Sequence, residues 1–199
     1  MRLLWMPQEG DRWHKWRRWK VCASDAPVIL GVSPYKTADR LLREKTEGLF
    51  TPPTYAMRKG RRLESKIRDL VEQETGYVFQ PACAECDPPN DWLAASLDGI
   101  TFDQGLILEC KYNKEEFHDQ ALEGKVPEHH VPQVQHQLFV TGAAFCVYAS
   151  HNDGEMYATP ELQLATVFVE PDAEYLAKLL EAEEKFWKEL CQARMRVSA

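Results

Sequence analysis

The chain has 199 residues, 44% apolar and 28% charged, which is typical of a single well-packed globular domain covering residues 1–199. There is no run of about 18 apolar residues, which excludes a membrane-spanning helix, and no signal peptide, so we expect a cytosolic protein. The formal net charge of −7 argues against nucleic acid only superficially. Residues 11–68 hold 15 Lys/Arg and 6 Asp/Glu, a net charge of +9, which leaves −16 for the remainder. The basic part is a candidate phosphate-binding surface.

The six cysteines are scattered along the chain, and most lie in apolar stretches. We therefore expect reduced, buried thiols. Cys83 and Cys86 have the spacing of half a zinc site. Because no second pair and no nearby His-x₃-His completes that site, a metal is not expected there.

A basic and aromatic segment, residues 11–20, precedes a predicted short helix that begins after Ser24 and ends at Gly31. Ser24 is a credible N-cap. Backbone N–H groups at a helix N-terminus, beside a serine hydroxyl and nearby arginines, would bind an anion. A capped helix with its tryptophans in the core explains the same segment equally well.

Two longer helices are predicted next, over residues 37–47 and 54–75, each followed by a glycine. In the second helix Glu64 falls inside the apolar stripe, one turn after Gly60, while the basic residues lie on the opposite side. A carboxylate in that position needs a partner. It either pairs with an arginine at the edge of the core or belongs to a functional site.

The central stretch of the chain is a predicted hairpin of strands 92–97 and 106–111, with turn signals that bring Asp98 beside Glu109. Alternation along the second strand projects Glu109 and Lys111 from one face, about 7 Å apart. Two carboxylates suit Mg²⁺, and an ammonium can position or activate a metal-bound water. Taken alone, the pattern also fits an aspartate in a turn and an exposed strand face.

The remaining predicted strands cover residues 77–80, 144–150, 155–158 and 164–170. Helices are predicted over 113–123, from Pro132 to 141, and from Pro171 to about residue 190. Gln133 and Gln137 share one face of the second of these helices. Amide side chains can bind phosphate oxygens or bases, although solvent exposure is their commoner fate.

Six short motifs follow one another in a specific order. They are Trp13-x-x-x-Arg17, Ala23-Ser24, Gly60-x-x-x-Glu64, Ser96-Leu97-Asp98-Gly99, Glu109-Cys110-Lys111 and Gln133-Val134-Gln135. The set, over roughly residues 11–142, resembles the lambda-exonuclease (YqaJ-type viral recombinase) branch of the PD-(D/E)XK nuclease superfamily. The resemblance implies an α/β fold with a mixed central β-sheet flanked by helices.

The resemblance also implies an activity and partners. Members are Mg²⁺-dependent 5′-to-3′ exonucleases that digest one strand of double-stranded DNA, leaving 3′ overhangs for recombination by strand annealing. They form ring-shaped homotrimers and work beside a single-strand annealing protein. We therefore expect a cytoplasmic protein of a bacterial host cell, of phage or prophage origin, with a two-metal Mg²⁺ site in which Mn²⁺ substitutes.

Roles carried over from the family fall on particular residues. Asp98 and Glu109 would hold the metal ions, together with the backbone carbonyl of Cys110. Lys111 would orient or activate the attacking water, and Glu64 would assist the second metal or its waters.

A second set of residues matches the family's pocket for the terminal 5′-phosphate: Arg17, Ser24, Ser96 and Gln133. Anchoring that phosphate one nucleotide from the metals would define the cut bond. This chain departs from the family pattern in having cysteine between Glu109 and Lys111, and Ser-Leu-Asp where Ser-Pro-Asp is commoner. Neither departure removes a required group.

Two other classes of function remain open at this point. One is another PD-(D/E)XK nuclease, such as a restriction-type endonuclease or a CRISPR-associated iron–sulfur nuclease. The iron–sulfur type needs clustered late cysteines, and only Cys191 lies in that region. The other is a catalytically dead DNA-binding protein on the same fold, against which the intact Asp98, Glu109 and Lys111 argue.

Overall fold

The computed structural model describes residues 1–49 and 51–197, in which seven strands form one sheet. The strands are β1 (Arg2–Leu4), β2 (Val21–Cys22), β3 (Gln80–Glu85), β4 (Leu93–Ile100), β5 (Leu106–Tyr112), β6 (Phe145–His151) and β7 (Leu164–Val169). The spatial order is β1-β3-β4-β5-β6-β7, with β2 also beside β4. The β2–β4 and β5–β6 pairs are parallel and the others antiparallel, so the expected mixed sheet is confirmed.

Helices flank this sheet. They are α1 (Asp11–Arg18), α2 (Ala26–Ile29), α3 (Ala38–Glu47), α4 (Tyr55–Thr75), α5 (Glu115–Leu122), α6 (Val131–Thr141), α7 (Pro160–Gln163) and α8 (Ala173–Val197). The predicted ends of α4 are confirmed: the Thr54 hydroxyl accepts the N–H of Met57, and Gly76 ends the helix at a φ of +75°. Within residues 1–49 and 51–197, no helix combines the length and apolar character needed to cross a membrane.

Two apolar clusters lie on the two faces of the sheet. The smaller cluster packs α4 onto β5 and β6 through Ile67, Leu108 and Val147. The larger cluster packs α6 and α8 onto the other face, through residues such as Leu138 and Leu190. Alternation along the strands explains the division, since neighbouring strand residues point to opposite faces. The sheet therefore holds α4 and α6 on opposite sides of β5.

A buried ion pair joins α6 to α8 within the larger cluster. The Nδ1 atom of His136 lies 2.7 Å from a carboxylate oxygen of Glu183, and its Nε2 atom lies 3.0 Å from the carbonyl oxygen of Ala94. Both neighbours can accept a hydrogen bond, so they favour the protonated form of the ring. Burial acts to lower the pKa of His136, but the Glu183 carboxylate outweighs it, and the net shift is upward.

The edge of β4 is shared by two strands that diverge. β2 pairs with its first residues, Leu93 and Ala94, and β5 pairs with its last, Gly99 and Ile100. Residues 95–98 lie between these two pairings. Ser96 and Asp98 both belong to this stretch, so the topology brings two of the predicted functional residues to one fork in the sheet.

Three local predictions are wrong. The predicted strand 77–80 starts only at Gln80, because the N–H of Phe79 is bonded to the Glu72 side chain, which ties this segment to α4. Residues 155–158 form a turn, in which the N–H of Tyr157 donates to the Gly154 carbonyl. Ser24 caps no helix, as described below. The last predicted helix does form, but it runs on to Val197.

Candidate active site

The β4–β5 hairpin places Asp98 next to Glu109. Gly99 pairs with Leu108 across the hairpin; Asp98 directly precedes Gly99, and Glu109 directly follows Leu108. One oxygen of Asp98 accepts the backbone N–H of Cys110 at 2.7 Å, which fixes the aspartate against the opposite strand. The turn is closed by Asp103, whose carboxylate accepts from the Thr101 hydroxyl at 2.6 Å and from the Gly105 N–H at 3.1 Å.

Glu109 is buried, and its carboxylate is held by three side-chain donors. Its Oε1 atom accepts from the Gln133 amide at 2.6 Å and from the Lys111 ammonium at 2.6 Å. Its Oε2 atom accepts from the Gln137 amide at 2.5 Å. Gln133 also accepts from Lys111 at 3.0 Å. The two glutamines lie one turn apart on α6, and each donates a hydrogen bond to a different oxygen of the same carboxylate on β5.

Burial and like charge dominate the electrostatics of this cluster. Desolvation, reinforced by the carboxylates of Glu109 and Glu64, raises the pKa of Asp98 well above its ordinary value. Desolvation also raises the pKa of Glu64, against the opposing effect of Arg68. Burial acts to lower the pKa of Lys111, but Glu109 more than compensates, so its pKa is raised and it carries a proton.

Glu64 reaches the cluster from α4. Its carboxylate lies 3.6 Å from the guanidinium of Arg68, one turn later on the helix. Arg68 in turn donates to the backbone carbonyl of Asp98 at 2.5 Å. The ion-pair interpretation of Glu64 is thus observed, and the arginine concerned is itself bonded to the backbone of Asp98.

A second cluster forms around Trp13. The Arg17 guanidinium lies over the Trp13 ring, 4.3 Å from its centroid, and donates to the Ser24 hydroxyl at 2.5 Å. The indole N–H of Trp13 donates to the Ser96 hydroxyl at 2.8 Å. Three of the four residues assigned to the 5′-phosphate pocket are thus linked, directly or through Trp13. The fourth, Gln133, contacts Glu109 and Lys111 instead.

A buried ion pair supports this second cluster and explains why Ser24 is not a cap. Ser24 lies inside a single 3₁₀ turn, Ala23–Asp25, where the Asp25 carboxylate accepts the N–H of Cys22 at 2.9 Å. The Lys45 ammonium lies 2.8 Å from that carboxylate and donates to the Arg17 carbonyl at 3.0 Å. Burial acts to raise the pKa of Asp25, but Lys45 and Arg17 outweigh burial, and the net shift is downward. The expected short helix therefore begins at Ala26, and Asp25 rather than Ser24 precedes it.

Sequence reasoning missed several of these contacts. Gln137 is fully buried, whereas solvent exposure was its expected fate. Its four-residue spacing from Gln133 was a usable signal, because it places both amides on the same face. The sequence indicated Trp13 only as part of a motif. Nothing in the local sequence of Arg68 or Lys45 indicates that its side chain bonds to a backbone carbonyl 20 to 30 residues away.

The donor set fits a hard divalent cation, provided that water or DNA completes it. No three side chains of His, Cys, Asp or Glu converge to hold a metal within residues 1–49 and 51–197. The predicted set needs only two carboxylates, Asp98 and Glu109, plus the Cys110 carbonyl. An ionised carboxylate offers about four acceptor positions, and the side-chain donors described above occupy three on Glu109. Mg²⁺ commonly binds through one or two carboxylates and keeps several waters.

Comparisons with known proteins identify the family. A family model for the YqaJ-like viral recombinase domain matches residues 12–144. The chain belongs to this family. One member, the uncharacterized protein YqaJ of Bacillus subtilis (strain 168), is 27% identical over 190 residues, which cover 90% of this chain and 56% of that protein. The chain thus spans about half the length of this curated relative.

Solved structures share the fold of this YqaJ-like chain. The alkaline exonuclease LHK-Exo from Laribacter hongkongensis superposes with a TM-score of 0.79 at 23% identity, covering 95% of this chain and 96% of that one. LHK-Exo in complex with dAMP gives a TM-score of 0.80 at 23% identity, with coverages of 94% and 96%. A phage-related exonuclease from Haemophilus somnus 129PT gives 0.66 at 16% identity, covering 89% and 96%. The expected α/β fold, with a central sheet flanked by helices, is therefore confirmed.

Proposed function

We propose that this chain is a Mg²⁺-dependent 5′-to-3′ exonuclease that digests one strand of double-stranded DNA and leaves 3′ single-stranded overhangs. The observation that carries the proposal is the cluster of half-buried Asp98, buried Glu109 and half-buried Lys111 at the fork of the sheet. Membership of the YqaJ-like family and the fold shared with exonucleases support its nuclease part.

Each residue of the cluster has a role in phosphodiester hydrolysis. Asp98, Glu109 and the Cys110 carbonyl would hold the divalent ion, and Glu64 would assist with its waters. The chemistry that such an ion supplies when bound is polarisation of a phosphate and acidification of a water. Because its pKa is raised, Lys111 is protonated; it would donate a hydrogen bond that orients the attacking water and would neutralise charge that develops on the phosphate.

The Arg17 cluster supplies the preference for a terminus. The Arg17 guanidinium bonds the Ser24 hydroxyl, and the Ser96 hydroxyl is joined to the same cluster through Trp13; these donors match the acceptor oxygens of a terminal phosphate. Gln133, whose amide contacts Glu109 and Lys111, would bind the same phosphate from the side of the carboxylate cluster. An anchored 5′-phosphate would place the adjacent phosphodiester at the carboxylates, which explains exonuclease rather than endonuclease action.

The assembly, partner and location that we propose rest on the charge distribution and on the family. Four basic residues are exposed on the first half of α4: Arg58, Arg61, Arg62 and Lys66. In a homotrimeric ring such residues would face DNA in a central channel, with the acidic remainder of the chain outside. We further propose a single-strand annealing protein as partner, and a cytoplasmic location in a bacterial host of phage or prophage origin.

Digestion of a linear duplex tests the catalytic assignment. With Mg²⁺ the unaltered protein should cut and Lys111→Ala should not, and EDTA should stop cutting by the unaltered protein. Lys114→Ala makes the same change three residues later, at an exposed side chain, and should cut normally. DNA binding without cutting by the unaltered protein would favour the alternative of a dead nuclease fold. A Lys111→Ala variant with full activity would refute the role given to this lysine.

A further inference from the structure

The buried amide of Gln137 is oriented by two acceptors. Its nitrogen lies 2.5 Å from Oε2 of Glu109 and 3.4 Å from the carbonyl oxygen of Ser96. Because both neighbours accept hydrogen bonds, the NH₂ end of the amide must face them. The other end, Oε1, is buried and has no hydrogen-bond partner among the residues that the structure describes.

This arrangement is unfavourable for stability alone. A buried amide oxygen without a partner loses its hydrogen bonds to water and gains none in return, whereas an apolar side chain of similar size would fill the same space without that loss. The favourable contact that Gln137 makes is at its nitrogen, on the carboxylate of Glu109. The placement therefore indicates a role at Glu109 rather than in packing α6.

The bonds on Glu109 show what that role is. The two acceptor positions of Oε1 are taken by Gln133 and Lys111, and one position of Oε2 is taken by Gln137. An ionised carboxylate offers about four such positions. The fourth position, which could accept a cation, therefore lies on the oxygen that Gln137 holds.

We propose that Gln137 is a positioning residue that orients Oε2 of Glu109 for a divalent cation. The inference rests on the proposed function, because it takes Glu109 as a metal ligand. Residues that hydrogen-bond to metal ligands typically contribute 10- to 100-fold in metal affinity or activity. Gln137 belongs to this class, while Gln133 additionally contacts Lys111 and so serves both the carboxylate and the ammonium.

The test compares Gln137→Met with Gln135→Met. Both remove a buried amide from α6, but Gln135 bonds the Glu170 carbonyl and the Asp172 N–H, away from Glu109. Isothermal titration of Mn²⁺ into the DNA-free protein should show affinity lowered at least about 10-fold in Q137M and unchanged in Q135M. In digestion assays, the Mn²⁺ concentration for half-maximal rate should rise by the same factor in Q137M, with little change in KM for DNA.

The outcomes separate this inference from the function on which it rests. Equal Mn²⁺ affinity in Q137M and the unaltered protein, or an equal loss in Q135M, would refute the positioning role alone. No Mn²⁺ binding by the unaltered protein would refute the metal centre itself. Circular dichroism checks that both variants fold. If Q137M does not, Gln137→Asn, which keeps the amide but withdraws it by one carbon, takes its place in the same titration.

Discussion

Replacing Asp98 by asparagine should stabilise the metal-free protein while removing its activity. Asp98 lies in the β4–β5 hairpin with burial, Glu109 and Glu64 all raising its pKa. A carboxyl group whose pKa is raised by folding destabilises the folded state once the pH exceeds its unfolded value, near 4. Asparagine carries no such charge, and its side-chain oxygen can still accept the N–H of Cys110.

The size of the effect follows from linkage. Each unit by which folding raises the pKa corresponds to about 1.4 kcal/mol at pH values above both the folded and the unfolded pKa. For a buried carboxyl group beside two other carboxylates, this gives a gain on the order of 1–3 kcal/mol for Asp98→Asn at neutral pH. A bound divalent ion would instead stabilise the unaltered protein relative to the variant. At 100 times its dissociation constant it stabilises a protein that binds it by about 2.7 kcal/mol.

Urea unfolding at pH 7.5, in EDTA and in saturating Mg²⁺, measures both the stabilisation by Asp98→Asn and the stabilisation by the metal ion. In EDTA, Asp98→Asn should be the more stable protein. In Mg²⁺ the unaltered protein should gain stability and the variant should gain little. Asp103→Asn is the matched control in the same hairpin, because hydrogen bonds from Thr101 and Gly105 lower the pKa of Asp103. It should gain no stability in EDTA and should keep its response to Mg²⁺. A destabilised Asp98→Asn variant in EDTA would refute the electrostatic reasoning.

Three further predictions concern the terminal phosphate, the core and the assembly. Arg17→Ala should slow digestion of 5′-phosphorylated ends far more than of 5′-hydroxyl ends, and equal slowing would mean that this arginine is only structural. Glu183→Gln should lower the free energy of unfolding by roughly 1–3 kcal/mol below about pH 6, where His136 is charged in both the folded and the unfolded state. The loss should become smaller as the pH rises through the raised pKa of His136 in the folded state. A difference in stability that does not change with pH would contradict this. Light scattering should give about three times the chain mass of 23.0 kDa, and excess unlabelled DNA added after initiation should not stop digestion. A monomeric protein whose digestion stops at once when the unlabelled DNA is added would exclude the ring.

Features set by short-range chemistry could be predicted from the sequence. The ends of α4 depend on a threonine hydroxyl and on a glycine that accepts a positive φ, and both effects operate within one helical turn. The approach of Asp98 to Glu109 depends on turn residues between two short strands, which is again local. Glu64 could be singled out because helical periodicity alone places it among apolar neighbours.

Features set by tertiary packing could not be predicted. Ser24 has the sequence of an N-cap, but the Asp25–Lys45 ion pair, which joins residues 20 positions apart, organises that turn instead. Gln137 appears in the sequence as a polar residue on a helix. Its burial against Glu109 depends on how α6 docks on β5, which no local pattern specifies. The carboxylate pair and Lys111 were therefore predictable from the sequence, whereas the contacts of Gln137 and Arg68 were not.

A linear duplex labelled separately at each end tests the central claim most directly. One substrate carries a label on the 5′-terminal nucleotide of one strand, and the other carries it on the 3′-terminal nucleotide, each with and without a 5′-phosphate. The account predicts that, with Mg²⁺, the 5′ label is released first as a mononucleotide, faster from phosphorylated ends, while the 3′ label stays on a long strand until late. Early release of the 3′ label, or internal cutting of a closed circular duplex at a comparable rate, would contradict it.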